Sequence, residues 1–112
     1  MAEPTDATRR FATLADRFLA EDGVSEGTGF GSTPGLRVQK KIFAMLTPEG
    51  GLVVKLPKAR VDGLVGAGVA TRFDPRRDGR LMREWAVVPP EHARRWEALA
   101  AEALEFVRPR SR

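Results

Sequence analysis

Apolar residues recur along this chain with two different periods, and the alternation between them lays out the elements. Over residues 5–22, Phe11, Leu14, Phe18 and Leu19 return at three- and four-residue spacing, with Ala7 and Ala15 on the same side. That is the period of a helix with one buried face. Thr5 suits its N-cap, Asp6 its positive end and Gly23 its stop, while Arg9, Arg10, Asp16 and Arg17 fall on the solvated side. From Leu36 to Gln39 apolar and polar residues alternate, the mark of a half-buried strand. The densest apolar run then follows, Lys41-Ile42-Phe43-Ala44-Met45-Leu46, a turn Thr47-Pro48-Glu49-Gly50-Gly51, and Leu52-Val53-Val54-Lys55-Leu56-Pro57. Two β-prone runs around a Pro/Gly reversal predict a hairpin, and the rest of the chain is expected to pack on it.

The hairpin strands are almost continuously apolar, so the pattern leaves their register open. If Thr47 faces Leu52, then Phe43, Met45, Leu52, Val54 and Leu56 share one face, and Ile42, Ala44, Leu46, Val53 and Lys55 the other. A shift of one residue regroups them. In either case one face meets helices, and the other is expected to present apolar surface beside Lys55. Such a patch points to a partner protein or a second copy of the chain.

Past Pro57 the pattern turns helical again. Lys58 to Gly66 reads as a short helix with Val61, Leu64 and Val65 inward. Val69 to Phe73 reads as a strand. Asp74-Pro75-Arg76-Arg77-Asp78-Gly79-Arg80 is a charged turn, and Leu81 to Val88 a further strand. Pro89-Pro90-Glu91 opens a last helix, whose buried stripe is Trp96, Leu99, Ala100, Ala103, Leu104 and Val107 and which Pro109 ends. Residues 24–35 hold four glycines. A phosphate-cradling loop would need a following Gly-Lys-Ser/Thr and a helix opening behind it, and neither is present. A short irregular strand and a turn at Thr33-Pro34-Gly35 are expected instead.

The sum is an α+β fold. A single domain over 5–108 holds an antiparallel sheet of about five strands, N- and C-terminal helices packed on one side, and a short helix between strands. Residues 1–4 are expected to be a disordered N-terminus and 109–112 a frayed tail. A length of 112 residues suits one core. The apolar content of 42% and charged content of 30% argue against disorder over most of the chain. The acidic, polar N-terminus does not read as a signal peptide, so none is expected, and no apolar run approaches the roughly 18 residues that span a bilayer. With no cysteine, the expectation is a cytoplasmic protein with no membrane partner.

Charge changes the picture more than composition does. Residues 1–34 carry a net −3 and residues 35–83 a net +7, while residues 84–112 balance. A basic middle segment can attract a polyanion. The candidate phosphate contacts are Lys40, Lys41, Lys55 and Lys58 around the hairpin, with Arg72, Arg76, Arg77, Arg80 and Arg83 in and beside the charged turn. Arginine forks match phosphate oxygens bidentately. Trp85, just after them, could stack on a base if exposed, but it is expected to be a core or semi-buried sheet residue, since tryptophan is highly buried on average. The bland reading of the same residues is a set of cations that solvate the open face and edges of a small sheet.

Catalytic chemistry has no comparable constellation. Missing cysteines exclude disulfides, thiolate metal sites and thiol nucleophiles. His92 is the only histidine, and Glu91, next to it on a predicted helix, would not face it. The carboxylates Glu26, Glu49, Asp62, Asp74, Asp78 and Glu84 have no metal-ligand spacing, and no serine lies in a nucleophile elbow. The chain is therefore expected to be a non-enzymatic protein with no metal and no cofactor.

Taken together, Lys41-Ile42-Phe43-Ala44, the hairpin ending Val54-Lys55-Leu56-Pro57, the short helix, the charged loop leading to Glu84-Trp85 and the last amphipathic helix resemble the MmcQ/YjbR-like family. The TfoX N-terminal domains look similar. The resemblance covers roughly residues 5–108. It implies a CyaY/frataxin-like α+β fold of the double-wing type and a DNA-binding label that rests on fold. It supplies no catalytic residue to match. Frataxin-like iron binding would need an acidic ridge on the first helix, and Arg9, Arg10 and Arg17 interrupt one here.

Overall fold

The computed structural model describes residues 6–28, 34–73 and 82–108. Within them the helices are α1 (Asp6–Phe18), α2 (Lys58–Gly66) and α3 (Trp96–Val107). The strands are β1 (Val24–Thr28), β2 (Pro34–Val38), β3 (Lys41–Leu46), β4 (Leu52–Lys55), β5 (Thr71–Phe73) and β6 (Met82–Val88). The six strands form one antiparallel sheet in the order β1-β2-β3-β4-β6-β5, one more strand than the pattern predicts. Residues 1–4 and 109–112, and the turn residues 74–80 with Arg76, Arg77 and Arg80, lie outside the described residues.

Burial sorts the two faces of the sheet. Leu36 stands opposite Ala44, Ala44 opposite Val54 and Val54 opposite Ala86, and Leu46, Leu52 and Val88 form the next row. All of these belong to one core with Phe11, Leu14 and Phe18 of α1, Val61 and Leu64 of α2, and Trp96, Leu99 and Leu104 of α3. The three helices thus cover one face. Each of the leucine, valine and phenylalanine side chains in this core contributes about 1.5–3 kcal/mol over leaving it in water. The indole of Trp96 is almost fully buried, and its Nε1 donates to the Val88 carbonyl at 3.2 Å, so the one polar atom it takes inside is satisfied.

Leu46 faces Leu52, so the hairpin takes the register one residue away from the Thr47–Leu52 pairing. Ala44, Leu46, Leu52 and Val54 therefore share the helix face. A bulge adds one irregularity: Leu36 pairs with Ala44 but Arg37 with Ile42, which leaves Phe43 as the extra residue. Phe43 and Ala44, consecutive in sequence, both enter the core. The Phe43 ring meets Phe18 of α1 edge to face, with centroids 6.0 Å apart. Met45 and Val53 belong to the other face, yet they are 1% and 0% exposed. The apolar surface expected at the middle of that face is buried. The large apolar side chains exposed among the described residues are Leu19, at the end of α1, and Phe106.

Several boundaries differ from the pattern, among them β5, which begins at Thr71 rather than Val69. α1 stops at Phe18, and Gly23, at φ +80°, turns the chain into β1. Pro34 and Gly35 extend β2 where a turn was expected. The last helix begins as a 3-10 segment, Pro90–Arg95, in which His92 has non-helical φ/ψ.

The β3–β4 turn is closed by Thr47. Its amide donates to the Gly51 carbonyl at 2.8 Å, and its hydroxyl accepts from the Gly51 amide at 2.9 Å. Gly50 sits at φ +92°, and a Cβ added there would come within 3.2 Å of the Ala7 methyl of α1. Gly50→Ala should therefore cost about 1–3 kcal/mol through backbone strain and crowding of α1. Urea unfolding checks this, and an unchanged midpoint would contradict it.

Candidate nucleic-acid interface

Strand order brings together cations that are far apart in sequence. β2 ends, β3 begins, β4 ends and β6 begins at the same end of the sheet, since these neighbours are all antiparallel. Lys40 lies in the β2–β3 turn, Lys41 opens β3, Lys55 closes β4, Lys58 opens α2 just beyond it, and Arg83 lies at the start of β6. Neighbouring strands are about 4.8 Å apart, so this rim is roughly 15 Å wide from β2 to β6. That is comparable with the width of a DNA groove. Lys40, Lys41, Lys58 and Arg83 are exposed and Lys55 is half-buried.

The turn that carries Lys40 is unusual. Gln39 and Lys40 have φ +47° and +75°, the left-handed pair that a two-residue hairpin turn demands. Glycine or asparagine takes this conformation readily, whereas other residues give up about 1–2 kcal/mol each. The chain keeps a lysine there, and its neighbour's amide donates to the Gly23 carbonyl at 2.9 Å.

Lys55 faces Trp85 across β4 and β6, on the side of the sheet away from the helices. The Lys55 ammonium is 5.6 Å from the centroid of the indole, a contact worth about 0.5–1 kcal/mol where water has access. Trp85 is half-buried and lines a shallow recess with Lys55, Lys58, Arg83 and Glu84. Lys58 also pairs with Asp62 one helical turn on, at 3.0 Å. Among the described residues, the acids near these cations include Glu84, Asp62 and, beside Gly23, Asp22. Among the described residues, Lys40, Lys41, Lys55 and Arg83 make no salt bridge.

Arg72 stands apart from this group. It pairs with Ala86, which puts it on the helix face, and its guanidinium lies 2.5 Å from Asp62. The hydrogen bond from Arg72, and after it that from Lys58, hold the Asp62 carboxyl below the usual carboxylate range. On the outer side of the helices, Arg60 forks onto Glu102 at 2.9 and 3.0 Å, tying α2 to α3 and raising the Arg60 pKa.

Residue counts by segment hide a second basic feature. Arg9 and Arg10 of the acidic N-terminal third and Arg94 of the balanced C-terminal third line one cleft with Thr13, Leu14, Ala93, Trp96 and Glu97. Glu97 is drawn off by Arg17, at 3.5 Å. Only the packing of α1 beside the 3-10 segment joins these arginines, so no local motif announces them.

His92 is half-buried within that 3-10 segment. No group of three or more His, Asp or Glu among the described residues could hold a metal ion, and no described helix is long and apolar enough to cross a membrane. No family model matches the chain, and neither a curated protein nor a solved structure is significantly similar to it.

The Asp62 pairing has a pH signature. A carboxyl whose folded pKa is lowered stabilises the fold above its unfolded value, near 3.9, and loses that contribution as pH falls through the folded value. Wild type should exceed Asp62→Asn in stability at neutral pH, and the gap should close in acid. Thermal unfolding from pH 7 to pH 2 checks this, and a gap independent of pH would contradict it.

Proposed function

We propose that this chain is a non-enzymatic, DNA-contacting domain that holds phosphates along the rim formed by Lys40, Lys41, Lys55, Lys58 and Arg83. The observation that carries the reading is the gathering of these five cations at one end of the sheet, four of them without a carboxylate partner among the described residues. The left-handed Lys40, where glycine would relieve the backbone, points the same way, because such strain tends to persist where a side chain is needed. Arg72 makes no direct contact in this reading, since Asp62 holds it on the other face. The resemblance to MmcQ/YjbR-like proteins agrees with a DNA-contacting role, as an analogy of fold. Contacts of this kind position a backbone without reading bases, so affinity should be largely independent of sequence.

Five phosphate contacts give a log–log salt slope of about −4.5, or roughly 500-fold weaker binding between about 50 and 200 mM salt. Fluorescence anisotropy of a labelled duplex measures it. Lys40→Gly with Lys41→Ala should bring the slope down by about 2, while Lys40→Gly alone raises thermal stability as it weakens binding. An absence of binding to both a duplex and a single strand at about 50 mM salt would overturn the reading.

A further inference from the structure

We propose that the nucleic acid this rim takes is single-stranded, with one base stacked on the indole of Trp85. The inference rests on the phosphate-contact reading above and names its ligand more closely. Phosphate recognition alone has no use for an indole among cations. Yet Trp85 lies on the sheet face away from the helices, directly across from Lys55, in a recess with Lys58 and Arg83. A duplex buries the faces of its bases and offers such a ring only edges and backbone. An unpaired base offers a flat face, and an aromatic platform beside a basic groove is how single strands are held without regard to sequence.

The contacts around the indole fit this use. The ring is already occupied by a cation, the Lys55 ammonium at 5.6 Å. That contact joins two half-buried side chains and is weak, so an arriving base displaces it, and the freed ammonium turns to the neighbouring phosphate. Glu84 is the acid of the recess, so it directs phosphates toward Lys55, Lys58 and Arg83 rather than into the recess itself. The other tryptophan supplies an internal control. Trp96 is 2% exposed and its indole is bound to the Val88 carbonyl, so a ligand at the rim leaves it unchanged.

The test titrates the full chain with an oligo-dT of about 12 nucleotides, within the site sizes of single-strand binding folds, and with a duplex of the same length at about 50 mM salt. Intrinsic tryptophan fluorescence and the anisotropy of the labelled strand are read together. The single strand should bind roughly tenfold more tightly than the duplex and quench about half of the emission, the share of one tryptophan in two. Trp85→Leu should lose roughly tenfold in single-strand affinity, abolish the quenching and leave duplex binding unchanged, while Trp85→Phe keeps most of the affinity. Equal affinity for both ligands with unchanged tryptophan emission would overturn this inference and leave the phosphate reading standing. Failure of both ligands to bind would overturn both. Should Trp85→Leu not fold, the quenching of the wild-type protein decides alone.

Discussion

The register between β3 and β4 is the constraint on which the rest of the structure depends. Leu46 opposite Leu52 puts Ala44, Leu46, Leu52 and Val54 under the helices and turns Met45, Val53 and Lys55 to the other side. Because side chains alternate strictly along a strand, a slip of one residue would exchange these sets. It would bring Lys55 under the helices and move Leu52 and Val54 away from them. At about 1.5–3 kcal/mol for each buried aliphatic side chain, moving even a few would consume most of the roughly 5–15 kcal/mol by which such a domain is stable. The Thr47–Gly51 hydrogen bonds and the left-handed Gly50 hold this register from the turn, and the Phe43 bulge adjusts β3 so that Phe18 has an aromatic partner.

The same register produces the basic rim. It brings the end of β4 level with the β2–β3 turn, and the separate pairing of β4 with β6 sets Lys55 opposite Trp85. Cations spread over more than forty residues of sequence thereby share one end of the sheet. Asp62 divides the remaining basic side chains between two tasks. It holds Arg72 on the helix face and tethers Lys58, so Arg72 serves the fold while Lys40, Lys41, Lys55 and Arg83 face solvent without a salt-bridge partner among the described residues.

Much of this was legible from pattern alone. The amphipathic stripes of α1 and α3 and the bounds of α2 follow from helical spacing and from Pro57. The hairpin follows from two apolar runs around Pro48 and the glycines. What the pattern left open has physical causes. A strand run as uniformly apolar as Ile42–Leu46 carries no alternation, so neither the register nor the bulge at Phe43 could be read from it. The burial of Met45 and Val53 depends on neighbours in space. Leu19 keeps helical spacing past the point where α1 ends, so spacing alone marks it as buried. Charge counted by segment found the cations of residues 35–83 and missed the cleft of Arg9, Arg10 and Arg94, which exists only because α1 packs beside the 3-10 segment. Arg72 looked like its neighbours in sequence, and only strand pairing shows that it faces the other way.

The central claim is that the rim from Lys40 to Arg83 is one contact surface assembled by strand order. The most direct measurement is an amide-resolved NMR titration of the isotopically labelled protein with a short oligonucleotide. The account predicts shift changes confined to residues 39–41, 55–58 and 83–85, three separate stretches of sequence responding with a single affinity. Changes centred on Arg9, Arg10 and Arg94, or three stretches responding with unrelated affinities, would contradict it.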